Sequence, residues 1–353
     1  MATLAEIAKA CGTSTATVSY VLSDQGDRRR ISPAMQEQIR ETAKALGYQR
    51  KAEKPQEKAP RIGFFWPERN LETSISNVIT GVNQALYLEN APVELSMIPF
   101  SYNSLVTQSA LWAKKAYDAC VIFSPNTADM EVLSQRHTKV PTVLMNRKLS
   151  GYSCVSTDYA LVGRLAAEQA IAKGGEDFIL VHNTIPHMGM AQRSREVHEV
   201  CRSYGIDAGL KTIYCSNSID EAYELGLRLL LQSALPRVIL CMYDTVAFGL
   251  IRALNESGVR VGEQVEVLAT GTSYPGFFSR ATPSITVVDL KLAEVAQRAV
   301  RLAIDHATGR IAQPTELIVP PEILYRESSP RPTPEQIQAL VLRKRQALSQ
   351  SRG

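Results

Sequence analysis

The chain has 353 residues, 45% of them apolar and 21% charged, enough for about two or three packed domains and unlike a disordered or fibrous protein. There is no N-terminal hydrophobic run, and nothing approaches the roughly 18 consecutive apolar residues of a membrane span, so a cytoplasmic protein with no membrane partner is expected. The net charge of +4 is unevenly placed: residues 1–61 hold eleven Lys/Arg against seven Asp/Glu, and residues 62–353 hold twenty-eight of each. That excess suits counterion-releasing contacts with phosphates, and equally an ordinary solvated basic segment. The six cysteines, at positions 11, 120, 154, 201, 215 and 241, show no C-x-x-C pairing and read as reduced, buried thiols. No cofactor or metal is expected.

Residues 3–48 carry the densest local signals. Thr3 and Glu6 have capping-box spacing, and Leu4, Ile7, Ala8 and Cys11 then share one helical face. Gly12 breaks that helix, since glycine enters the left-handed conformation without penalty. Ser14 caps a second helix with apolar positions Ala16, Val18, Val21 and Leu22. Ser32 and Pro33 announce a third, which carries Met35, Ile39, Ala43 and Leu46 and stops at Gly47. Two short helices on a third form a helix-turn-helix, whose second helix can lie in a DNA major groove. The exposed positions of that helix, Thr15, Ala16, Thr17, Ser19 and Tyr20, are mostly small or hydroxylated, as close approach to DNA requires. A plain three-helix lid with a solvated polar face has the same pattern.

TLAEIAKACGTSTATVSYVL resembles the N-terminus of LacI/GalR-type repressors, T-x-x-x-V-A-x-x-A-G-V-S-x-A-T-V-S-R-V-L, and Ala45-Leu46-Gly47-Tyr48 matches its close. The resemblance implies contacts with double-stranded DNA from Thr3, Ser14, Thr15, Ala16, Thr17, Ser19 and Tyr20. Most relatives carry Arg where Tyr20 stands, and tyrosine cannot make that bidentate guanine contact. Tyr20→Arg is therefore expected to change the preferred operator base without abolishing binding; an unchanged operator would contradict this placement. Arg28, Arg29 and Arg30 lie in a loop longer than is usual in the resembled family, and suit phosphate clamping or simple solvation. Residues 49–60, QRKAEKPQEKAP, read as a linker. Relatives usually continue with P-N-x-x-A-R-x-L, a hinge helix that wedges a leucine into the minor groove. No Leu lies between Tyr48 and Ile62, so this hinge works differently or the central kink is absent.

From Arg61 onward, short β-branched or apolar runs alternate with helical segments. Strands are predicted at 61–66, 93–98, 119–123, 141–145, 153–157, 177–182, 211–214, 237–242, 265–269 and 285–289. Helical periodicity falls at 74–89, 158–173, 189–204, 218–233, 243–257 and 290–307. Such alternation predicts parallel sheets with right-handed crossovers, in two lobes of about five strands each, with a cleft at the strand C-termini. The expected fold is thus α/β: a three-helix helix-turn-helix domain (1–48), a linker (49–60) and a two-lobed core (61–328). Lobe 1 spans about 61–157 and lobe 2 about 158–288, with crossings near 285–320 and a tail over 329–353. VLMNRKLSGYSCVSTDYALVGRLAAEQAIAKGG, VILCMYDTVAFGLIRALNESGVRVGEQVEVLATGTSYPGFFSRATPSITVVD and PPEILYRESSP extend the family resemblance, which implies a core like periplasmic sugar-binding proteins.

Arg195 falls where the family places an arginine reaching into the effector cleft, and sequence does not separate it from Arg193. Asn146, Arg147, Asp158, Asn217, Tyr243 and Asp244 align with cleft positions, although Asp158 and Asp244 also suit helix caps. Ser273 replaces the acid that usually holds sugar hydroxyls. Losing that carboxylate while keeping arginine shifts the expected small-molecule effector toward neutral or anionic ligands, such as a sugar phosphate or organic acid, and away from a simple neutral sugar, with a lost or protein-borne signal as the alternative. In the tail, Ile337, Leu340, Val341, Ala347 and Leu348 lie roughly on one side, giving either a partner helix for a tetramer or a frayed basic tail. There is no G-x-S-x-G, H-E-x-x-H or Walker loop, and His182, His187 and His198 lack ligand spacing, so no enzyme is expected. The sequence predicts a regulator, a repressor, binding a pseudo-palindromic operator as a homodimer under small-molecule control. A periplasmic-type binding protein with vestigial DNA binding is the alternative.

Overall fold

The computed structural model describes residues 2–23, 25–48, 59–68, 71–89, 92–113, 116–184, 188–232, 234–271 and 275–350. The chain divides into two compact units, Met1–Lys58 and Ala59–Gly353. Most of the linker, His187 and Ser273 lie outside the described residues.

The first unit is built from α1 (Leu4–Ala10), α2 (Thr15–Leu22) and α3 (Pro33–Ala45). Its caps follow from the sequence. Thr3 Oγ1 accepts from Glu6 N at 3.3 Å, and the Glu6 carboxylate accepts from Thr3 N at 2.7 Å. Gly12 and Gly47 adopt φ of +63° and +64°, stopping α1 and following α3. Ile7, Ala8, Cys11, Val18, Val21, Ile39 and Ala43 form one small core. Two expected core positions lie outside it. Ala16 is exposed, and Leu46 is 45% exposed because it is the C-cap of α3, beyond the last turn that packs.

The second unit runs, in chain order, β1 (Arg61–Pro67), α4 (Leu71–Tyr87), β2 (Glu94–Phe100), α5 (Ser109–Trp112), β3 (Ala119–Phe123), α6 (Thr127–Gln135), β4 (Thr142–Met145) and β5 (Ser153–Thr157). Next come α7 (Tyr159–Gly174), β6 (Phe178–Asn183), α8 (Met188–Ser203), β7 (Thr212–Cys215), α9 (Ile219–Leu230), β8 (Val238–Cys241), α10 (Asp244–Glu256), β9 (Glu266–Thr270), α11 (Pro275–Phe278) and β10 (Thr286–Asp289). The chain then gives α12 (Leu292–Ala307), β11 (Glu316–Val319), β12 (Glu322–Leu324) and α13 (Pro334–Gln350).

Two six-stranded sheets result, ordered β11-β5-β4-β3-β1-β2 and β12-β10-β9-β8-β6-β7. All pairings are parallel except β10 with β12, so the expected parallel sheets carry one antiparallel edge. In each sheet the strand order reverses around one strand, β1 in the first and β6 in the second, the place where open α/β sheets bind ligands. The sixth strand of each sheet comes from residues 316–324, beyond the ten strands that the sequence pattern predicts. β11 and β12 are half-exposed edge strands and lack the continuous apolar runs of the central ones. α6 was also missed: Met130 and Leu133 are its only buried apolar residues, beside a buried Asp129 that accepts from Asn103 N and Leu105 N.

The chain passes between the lobes at residues 157–159, 289–292 and 319–322. Thr157 Oγ1 donates to Leu290 O at 2.6 Å, and Asp158 N donates to Val319 O at 3.1 Å, so all three crossings are bonded together. Lys291, at φ +54°, adds an ion pair to Glu322 at 2.5 Å. On the first sheet, α4 and α12 cover a core containing Phe64, Trp66, Val82 and Ala299. On the second, α7 and α8 cover one face, and α9 and α10 the other. Gly163 allows α7 to approach α8 closely, because a Cβ there would fall 2.4 Å from Arg193 O. Over its described residues the tail forms a helix docked on lobe 2. In α13, Leu340 packs on the second lobe, Arg343 pairs with Glu176, and Lys344 lies over the Tyr204 ring.

All six cysteines are free and buried. Burial pushes the Cys120 thiol from the usual 9.0 up to about 12, and those of Cys201 and Cys215 to about 11. In the unfolded chain these thiols release protons first, so their contribution to stability is complete below about pH 9 and falls as pH rises toward 11 and 12. Denaturant unfolding on either side of pH 9 should show that decline, and alkylation of native protein at neutral pH should be slow. A stability that holds steady through pH 10 would contradict it.

Candidate functional site

In the first unit, Thr15, Ala16 and Ser19 are exposed on α2, with Thr17 and Tyr20 half-buried beside them. Ser14 Oγ accepts from Thr17 N at 3.1 Å and shares a hydrogen bond with the Thr17 hydroxyl at 2.8 Å. The Thr3 and Ser14 hydroxyls are therefore engaged as helix caps, and leave the N-terminal turns of α1 and α2 in fixed positions. Arg28, Arg29 and Arg30 are all exposed on the loop between α2 and α3.

In the second unit, Arg193 on α8 of lobe 2 is 1% exposed and faces the C-terminal ends of β8 and β9. Its Nη1 donates to Thr270 Oγ1 at 2.7 Å, and that hydroxyl donates on to Met242 O at 2.9 Å. The guanidinium lies between two phenol rings, 5.9 Å from Tyr159 and 5.7 Å from Tyr243. Its Nε is buried with no hydrogen-bond partner, and among the described residues no carboxylate lies within ion-pair distance. Burial pulls its pKa below the usual arginine value, against the opposing pull of Tyr243, Tyr159 and Asp244.

A second buried arginine comes from lobe 1. Arg147 follows β4, with Nε donating to Pro125 O at 2.8 Å and Nη1 to Asn146 O at 2.6 Å. Burial lowers its pKa as well, opposed by Tyr159 and Tyr102. Asn146, at φ +63°, turns the chain there, and its buried Oδ1 has no partner. Tyr159 is shared: burial raises its phenol pKa, while Arg193 and Arg147 both pull it down. A cavity of about 460 Å³ opens along the crossing between the lobes, lined by Asn146, Arg147, Asp158, Tyr159, Gly189 and Gln192 among others.

The other cleft candidates divide. Asp244 is buried at the start of α10, accepting from Thr245 N at 3.0 Å. Tyr243 caps α10 without a side-chain cap bond; burial raises its pKa, and its hydroxyl bonds Asn183. Asp158 does act as a cap, its Oδ1 accepting from Leu161 N at 2.9 Å, while still reaching the cavity wall. Asn217 is exposed and bonded by the Thr245 hydroxyl. Arg195 is corrected: it is exposed, two residues and thus about 200° around α8 from Arg193, so the inward arginine is Arg193. Tyr159, Thr270 and Asn183 were not anticipated. His182 and His198 bond the backbone at Asn183 O and Ser194 O.

This is a helix-turn-helix head joined to a two-lobed, doubly wound core with a polar cleft between its sheets. The family model of bacterial regulatory proteins, lacI family, matches residues 3–51, and that of the periplasmic binding protein-like domain matches residues 167–329. The chain belongs to the LacI family of DNA-binding transcriptional regulators, a family of regulators and not of enzymes. The HTH-type transcriptional repressor PurR of Mannheimia succiniciproducens is 23% identical over 341 residues, covering 93% of this chain and 98% of that one. PurR of Vibrio atlanticus is 23% identical over 336 residues, with the same coverage of each chain. Among solved structures, a LacI family transcription regulator from Clostridium acetobutylicum superposes with a TM-score of 0.71 at 23% identity, over 76% of this chain and 99% of that one. The Lac repressor dimer bound to operator and the anti-inducer ONPF gives 0.65 at 18% identity, over 94% and 99%. Those structural likenesses establish the fold. Among the described residues no helix is long and apolar enough to cross a membrane.

Proposed function

We propose that the protein is a cytoplasmic repressor that binds a pseudo-palindromic operator as a homodimer, and that a small anion held between the lobes sets its operator affinity. A single recognition helix reads only a few base pairs, so two-fold pairing supplies the rest of the site. Relatives named as repressors, and a dimer solved on its operator, support that reading. The observation that carries the ligand class is the pair of buried guanidinia, Arg193 and Arg147, which meet phenols, a hydroxyl and carbonyls in place of carboxylates. A buried cation with no carboxylate in direct contact is costly, and an anion held by these guanidinia would relieve that cost. The unpartnered Arg193 Nε and Asn146 Oδ1 add one donor and one acceptor, fitting a molecule with both anionic and hydroxyl groups, such as a sugar phosphate or hydroxy acid. The exposed Ile337, Val341 and Leu348 of α13 support further pairing of dimers into a tetramer.

The test is thermal unfolding against a panel of sugar phosphates, hydroxy acids and the matching neutral sugars, followed by operator titration with whatever stabilises. An anion should raise the transition and change operator affinity, and by linkage operator must change anion affinity by the same factor. Stabilisation by neutral sugars alone would overturn the anionic reading.

A further inference from the structure

We infer that Arg29, on the loop between α2 and α3, reads a guanine in each operator half-site, with Tyr20 as its platform. The inference rests on DNA binding by the head and adds which side chain specifies a base. Tyr20 lies on the helix that a helix-turn-helix lays in the major groove, yet its phenol offers a single oxygen. Guanine is marked there by two acceptors, O6 and N7, which a two-donor fork meets and a phenol does not.

That fork is supplied from outside the helix. The Arg29 Cζ lies 4.6 Å from the centroid of the Tyr20 ring. A planar guanidinium on an aromatic face keeps its N–H edge free for a second partner, so the donors are held at the recognition helix while the backbone belongs to the loop. Arg28 and Arg30 are equally exposed, but among the described residues of the head only Arg29 lies over an aromatic ring.

The loop is constructed to hold this position. Gln36 is buried, and its Nε2 donates to Asp27 Oδ1 and Ile31 O, both at 2.9 Å. Gly26 packs so closely on that amide that a Cβ would fall 2.4 Å from Gln36 Oε1. Arg29 N bonds Gln25 O at 3.1 Å, Arg30 N bonds Asp27 O at 3.1 Å, and Ile31 N bonds Gly26 O at 3.0 Å. Arg30 takes a left-handed φ of +55° to close the turn. With the backbone fixed on both sides, Arg29 retains only its side-chain torsions, and stacking limits those.

The experiment selects duplexes from a random pool with the full chain and with Arg29→Ala, Arg29→Lys, Arg28→Ala, Tyr20→Phe and Tyr20→Ala, each first shown to melt like the parent. The parent should select a guanine at one position of each half-site. Arg29→Ala and Arg29→Lys should lose that preference alone, with consensus affinity falling about 5- to 150-fold. Tyr20→Ala should follow them, and Tyr20→Phe, which keeps the ring, should resemble the parent. Arg28→Ala should weaken all duplexes alike and lower the salt slope by about one. If Arg29→Ala weakens every duplex evenly with preference intact, Arg29 is a phosphate contact and the inference falls. Loss of preference in Tyr20→Phe would assign the reading to the hydroxyl and also overturn it. If the parent enriches nothing, DNA binding itself fails and the inference with it.

Discussion

Arg193→Met is expected to abolish anion binding while leaving the ligand-free protein as stable as before, or more so. The two effects have opposite signs because Arg193 is held at a cost. It is fully buried, donates one hydrogen bond, to Thr270, and has an unpartnered Nε between two phenol rings. A methionine of similar length fills the same space and removes a desolvated charge, so the empty core should lose little. The ligand, however, loses a charge-assisted partner in a buried site, which costs about 2–5 kcal/mol of binding free energy. Calorimetric titration with the stabilising anion, beside thermal melts without it, checks both signs. A variant that melts well below the parent while binding the anion normally would make Arg193 a structural residue and remove the ligand site from lobe 2. Arg195→Met should leave both quantities unchanged, since that side chain is exposed.

How much of this arrangement was legible in the sequence depends on how local each signal is. The helix caps at Thr3, Ser14 and Ser32 and the stops at Gly12 and Gly47 are decided within a few residues, and each is where the sequence put it. The central strands declare themselves because both of their faces are buried, so β3 and β5 keep the predicted bounds. β11 and β12 are edges, and their pairing with β5 and β10 joins segments more than thirty residues apart. The choice between Arg193 and Arg195 was in fact available. Met190, Val197, Val200 and Cys201 mark the buried stripe of α8, and position 193 falls within that 3.6-residue period while 195 does not. Nothing local reveals that Tyr159 stands between two arginines, since they arrive from different lobes.

Glu266→Ala is expected to lower the stability of the second unit by about 3–5 kcal/mol, the cost of stranding a buried charge. Glu266 opens β9 at the opposite end of that strand from Thr270. Its Oε1 pairs with Lys173 Nζ at 3.2 Å, with side-chain exposures of 2% and 6%, and with Arg237 at 3.4 Å. Its Oε2 accepts from Ser329 Oγ at 2.8 Å, and Gln169 Nε2 donates to the same serine at 3.3 Å. The carboxylate therefore ties the C-terminus of α7, β9 and the residues leading into α13 together. Removing it leaves Lys173 buried without a counter-ion, whereas Lys173→Met with Glu266→Leu removes both charges and should recover most of the loss. Denaturant unfolding of the three forms checks this, with the anion-binding site as an internal control that should survive in the double variant. A loss in Glu266→Ala no larger than that of an exposed pair such as Arg260–Glu263 would show that solvent reaches this network.

Operator recognition by the head as part of a two-fold assembly is the property on which every other role described for this protein depends. Selection from a random duplex pool by the full chain, repeated at several salt concentrations beside residues 59–353 alone, measures that directly. The expected result is an approximately palindromic site, affinity that drops steeply with salt, and no enrichment by the truncated form. Enrichment of nothing, or the same behaviour from both forms, would contradict it and leave a two-lobed binding protein whose helix-turn-helix reads no operator.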